Sequence, residues 1–118
     1  MQKRDAVITF SQSEKIKSGL IWASQAVQML AHFKEPQKKG AERIAKLLMA
    51  LVLNEVHLVR QMTGESEWTD SEKDIDLALV MIDSGVAHES SYHLTRALSK
   101  VTNIGQRAMD TLKNEGLL

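Results

Sequence analysis

The sequence predicts an all-α protein, an antiparallel four-helix bundle, and three observations carry that expectation. Apolar residues recur at helical spacing in four separate stretches. Pro36, Gly64 and Gly85 stand between those stretches as helix breakers. The links around them are short, which suits antiparallel neighbours. At 118 residues, positions 1–118 read as a single helical domain with one modest core.

The opening "AVITF" (Ala6 to Phe10) is short and β-branched, so it reads as a short extended N-terminal arm. A first helix is expected over 12–34. Ser11 and Glu14 have capping-box spacing, and Ile16, Leu20, Ala23, Val27 and Leu30 form a stripe widened by Trp22, Met29 and Phe33. Pro36 ends it, because proline disfavours helical geometry in the residue before it. A second helix is expected over 37–63, with Ile44, Leu48, Leu51, Leu58 and Met62 as its main seam and Gly64 as a left-handed terminator. A third, over 70–84, is announced by Thr69 and Glu72 as a capping pair. It carries Ile75, Leu79 and Ile82 inward, and Gly85 and Val86 form a Schellman-type stop. The fourth, over 90–115, has the stripe Leu94, Ala97, Leu98, Val101, Ile104, Ala108 and Leu112.

Within the second helix, Leu47 to Leu53 ("LLMALVL") is apolar all the way round. Such a segment must be central in the fold or covered by another chain. In a domain this small a second subunit is the natural cover, so Leu47, Met49, Val52, Leu53 and Val56 are the expected interface, in a homodimer or larger assembly. The run is far short of the roughly 20 apolar residues of a membrane span.

The composition is 43% hydrophobic and 25% charged, which fits a soluble globular protein. There is no cysteine, so disulfides, thiol catalysis and thiolate metal sites are excluded, and a reducing interior such as the cytoplasm suits the chain. "MQKRDAVITF" does not read as a secretory leader, because Asp5 follows the basic start and the apolar run is short. The formal net charge is zero but polarised: residues 1–60 sum to +5 and residues 61–118 to −5. A chain of this kind can pair head to tail with its own copy or meet a charged partner.

The closing "LTRALSKVTNIGQRAMDTLKNEGLL" has two readings. One is a continuous last helix, in which Gly105 costs only about 1 kcal/mol. The other rests on the register of Leu94, Leu98, Arg107, Met109, Leu112, Gly116, Leu117 and Leu118, which resembles the second and third helices of winged-helix regulators. That resemblance implies DNA binding, with Lys100, Thr102, Asn103, Gln106 and Arg107 facing the major groove or its phosphates. Ser99 stands where the family has its turn glycine, and Ile104 falls one position early. Acids crowd Glu65 to Glu89, eight against one base, and would repel phosphates. A weaker helix-turn-helix candidate is "MIDSGVAHESSYHLTRAL", centred on Gly85.

The histidines lack a ligand pattern: Asn54 precedes His57, and Gly85 precedes His88, where a Glu-x-x-His pair needs a glutamate. His93 with Arg96 three residues on resembles the phosphoacceptor of histidine phosphotransfer domains, but Ser91 and Tyr92 do not fit the lead-in. Asp76 and Asp83 share a face, yet Asp83 sits at a helix end, where exposure explains it. The expectation is a protein without catalytic, cofactor or metal residues that works by self-association and protein–protein contact. The DNA-binding regulator is the alternative.

Overall fold

Seams of mostly small residues draw four helices into an antiparallel bundle. The computed structural model describes residues 1–118. Helix α1 spans Lys3–Met29, α2 Gln37–Thr63, α3 Trp68–Asp83 and α4 Ser90–Asn114. Single 3-10 turns, Leu30–His32 and Ala87–Glu89, follow α1 and precede α4. Helices α1 and α3 each pack against both α2 and α4, giving a four-cornered bundle with consecutive helices as neighbours. One apolar cluster draws on all four, from Ile16 and Leu20 through Met49, Val56 and Trp68 to Leu94 and Val101.

The first correction is to the N-terminus. "AVITF" is not an extended arm but part of the first turns of α1. The buried face runs Ala6, Thr9, Ser13, Ile16, Leu20, Ala23, Val27 and Leu30, in unbroken steps of three and four. Thr9 and Ser13 are fully buried, which hid the seam in a reading that looked for apolar residues alone. Small side chains are required there because α4 comes very close: a Cβ on Gly105 would lie 2.5 Å from Ser13 Oγ and 3.0 Å from Ser13 Cβ. Tertiary packing thus overrides the strand preference of Val7, Ile8 and Thr9. Ser11 lies in mid-helix, and no side chain caps α1.

The second correction is to α2, whose limits are as expected but whose faces are exchanged. Ala45, Met49, Val52, Val56 and Val59 point inward. Ile44, Leu51, Leu58 and Met62, expected in the seam, are exposed, and Leu48 is half-buried. The physical reason is again close approach. A Cβ on Gly19 would stand 2.7 Å from Val52 Cγ2, so the space between α1 and α2 takes valine and alanine but not a row of leucines.

The stops at Gly64 and Gly85 hold. Both have left-handed φ angles (69° and 79°), and Val86 N–H donates to Met81 C=O at 2.9 Å, the long bond of a Schellman cap. Helix α3 starts two residues early at Trp68, with Glu67 before it and no side-chain cap, so the Thr69–Glu72 box does not form. Ser90 Oγ donates to Ala78 C=O at 2.6 Å inside the core and ties the start of α4 to α3. Because α3 is short, α1 and α4 run past its first residue, and their tips close on a small separate cluster of Ala6, Ala108 and Leu112. No helix is long and apolar enough to cross a membrane.

Candidate interaction surface on α1 and α2

The expected interface residues divide between core and surface. Met49, Val52 and Val56 are buried within the single chain, so the neighbouring helices already cover them. Leu53 is half-buried and packs against the core, and only Leu47 is exposed. The all-round apolar character of α2 is nonetheless real. Its uncovered arc is the other one, made of Ile44, Leu47, Leu51, Leu58 and Met62, with exposures from 42% to 63%. Spacings of three, four and seven place all five along one face of α2.

Helix α1 extends this face. Gly19 lies against Val52 and Lys15 against Glu55, so Trp22, one turn beyond Gly19, flanks Leu48 and Leu51. Trp22 is 62% exposed. Between them lies an open groove of about 400 Å³, walled by Ile16, Trp22, Leu48, Leu51 and Val52, with Gly19 on its floor. Any larger residue at 19 would push against Val52; glycine sets both the helix spacing and the depth of the groove. Lys15, Asn54 and Glu55 give it a polar rim.

Glu55 is fixed at that rim by Lys15 Nζ at 2.8 Å and Gln12 Nε2 at 3.0 Å. The hydrogen bond from Lys15, then that from Gln12, holds its carboxyl below the ordinary value against the opposing effect of burial. A depressed folded-state value means that the stabilisation is present above the unfolded value and is lost as pH falls through the folded one. For an ion pair this exposed the effect is at most about 1 kcal/mol. Urea titrations of the parent and Glu55→Gln should differ most near neutral pH and converge in acid; a gap that widens on acidification would contradict the assignment.

The DNA-binding alternative loses its geometric basis. Helix α4 runs unbroken from Ser90 to Asn114, with no turn at 99–103. The five residues proposed to read DNA are otherwise engaged or simply exposed. Lys100 Nζ reaches the buried Asp74 at 2.6 Å, and Arg107 pairs with Glu67. Thr102 Oγ1 donates to Leu98 C=O, Gln106 bonds to Asp110, and Asn103 is exposed beside Glu67 and Asp70. The segment around Gly85 is an ordinary antiparallel hairpin, since α3 and α4 stay in contact from Ala78–Ser90 to Glu67–Arg107. A DNA-reading pair of helices crosses at roughly 90–120° instead.

Asp74, Glu72 and Asp83 are tied into ion pairs. Asp74 is held by Lys100 and, at 3.5 Å, by Arg96. Glu72 receives Arg60 at 2.7 Å and His57 at 3.0 Å. Asp83 is paired with Lys46 at 2.5 Å. His93 is half-buried with its ring edge-on to Tyr92. No three His, Cys, Asp or Glu side chains are grouped to hold a metal ion.

Sequence reasoning missed Ile44, Leu51, Leu58, Met62 and Trp22 as surface residues because it placed the bulkiest apolar side chains inside. The signal that distinguishes the two faces was present: Ala45, Met49, Val52, Val56 and Val59 form a parallel seam of smaller residues, matching the small seams of α1 and α4. No protein-family model matches this chain, and no curated protein or solved structure shows significant similarity to it.

Proposed function

We propose that this protein is a non-enzymatic interaction module that self-associates through the outer face of α1 and α2. The observation that carries the reading is the row Ile44, Leu47, Leu51, Leu58 and Met62, the longest run of exposed large apolar side chains on any one helix, left uncovered beside Trp22. Single exposed leucines are ordinary on a protein surface, whereas a contiguous row along one helix face marks a place where another helix lies. The polar rim and central aromatic match the anatomy of protein interfaces, with tryptophan the residue most often found at their energetic centre. A chain without cysteine suits a reducing compartment such as the cytoplasm.

Sedimentation tests the proposal. The parent should sediment at no less than twice the 13.2 kDa of one chain at tens of micromolar concentration. Leu47→Asp combined with Leu51→Asp should return it to one chain without loss of helix content, since both side chains are exposed. A monomeric parent would defeat self-association.

A further inference from the structure

We infer that the occupant of this face is a second copy of the chain, laid antiparallel across a two-fold axis beside Asn54, with α2 against α2. The inference rests on the self-association reading and adds the geometry. It follows from two features of α2 that are independent of each other.

The first is the spacing of the outer row. Positions 47, 51, 54 and 58, all exposed, are disposed symmetrically about the midpoint of 52 and 53. Reversing the helix therefore sets Leu47 against Leu58 and Leu51 against Asn54 of a second copy, and brings Ile44 within one residue of Met62. Asn54 is a polar residue near the middle of the row, and a polar group at such a place fixes register in paired helices.

The second feature is charge. Around the N-terminus of α2, Lys34, Lys38, Lys39 and Arg43 have no carboxylate within 4.0 Å, and with Glu35 and Glu42 counted, residues 34–43 carry a net +2. Past its C-terminus, residues 64–70 contain Glu65, Glu67 and Asp70 and no base, and Glu65 and Asp70 are likewise unpaired. A parallel pair would bring like charges together at both ends. The antiparallel pair sets each basic end beside an acidic one, twice, which favours it electrostatically. The face from 44 to 62 is about 27 Å long by helical rise and about two helices wide, on the order of 500 Å² per copy, at the low end for a specific dimer. Such a dimer forms reversibly.

The absence of native cysteine makes the test direct. Asn54→Cys and Ile44→Cys are introduced separately at exposed positions, and each variant is oxidised mildly at the concentration where the parent is dimeric. In the antiparallel arrangement position 54 faces the second copy, its two copies offset by only about 4 Å along the axis, whereas those of position 44 are offset by about 26 Å. A disulfide needs Cα atoms within about 7 Å of one another. Asn54→Cys is therefore expected to become a covalent dimer, Ile44→Cys to stay a reduced chain, and Ile44→Cys mixed with Met62→Cys to form the mixed disulfide. A dimeric mass with Ile44→Cys cross-linking to itself would leave self-association standing and overturn the antiparallel arrangement. A dimeric mass with none of these cross-links would place the contact on another face. A monomeric mass overturns both readings.

Discussion

Trp68→Ala is expected to lower the unfolding free energy by about 3–5 kcal/mol, the cost of emptying a fully buried indole site. Trp68 is the largest completely enclosed side chain, and it opens α3 where that helix meets the core. Alanine there removes the apolar contacts and leaves a void that three packed helices cannot fill. The indole Nε1 has no hydrogen-bond partner, so the loss comes from packing alone. A domain of this length has a total stability on the order of 5–15 kcal/mol, so the variant sits near the edge of folding. Urea unfolding followed by circular dichroism gives the measurement. Fluorescence supplies an independent check in the Leu47→Asp and Leu51→Asp background, where no second copy covers the other tryptophan, Trp22, exposed on the single chain: the emission that remains in the folded variant should be that of a solvated indole. A loss below about 1 kcal/mol would place Trp68 outside the core.

The second large effect is expected at the crossing of α1 and α4. Gly105→Val should destabilise by about 1–3 kcal/mol, although valine is the better helix former. Its Cβ would fall 3.0 Å from the Cβ of Ser13 and closer still to the hydroxyl, which is bonded to Phe10 C=O at 2.8 Å. Relief requires the two long helices to part, and both are packed along their length. Ser13→Gly removes the obstructing atoms, so a double-mutant cycle should show strong favourable coupling between the two substitutions. Additivity would mean that the helices are not in contact there.

Much of this bundle was legible in the sequence. The stripe of α4, the stops at Gly64 and Gly85 and the limits of α2 follow from helical periodicity and from glycine's freedom at positive φ. Two features were hidden, both for the same physical cause. Thr9 and Ser13 did not announce a seam, and the valines and alanines of α2 lost to its leucines, because hydrophobicity was taken as the guide to burial. In a tightly spaced bundle, size decides as well: a small polar group that bonds its own backbone, as Ser13 does to Phe10, fits where leucine cannot. The excess of apolar circumference on α2 was therefore legible, but it lies on the opposite arc: Met49, Val52 and Val56 are buried, and Ile44, Leu51, Leu58 and Met62 are exposed.

The brevity of α3 divides the molecule unevenly along its 53 Å length. Beyond Trp68 the α1–α4 tips are held by Ala6, Ala108 and Leu112 with the half-buried Phe10 against them, a small cluster beside the main core. Transient opening of the native state should therefore begin at that end and travel inward only as far as the indole, which acts as the cap on the stable portion. Arg4 in the α1 tip donates to Met62 C=O, so opening there should release the last residue of the α2 row while Ile44 to Leu58, on the other side of the indole, stay in place.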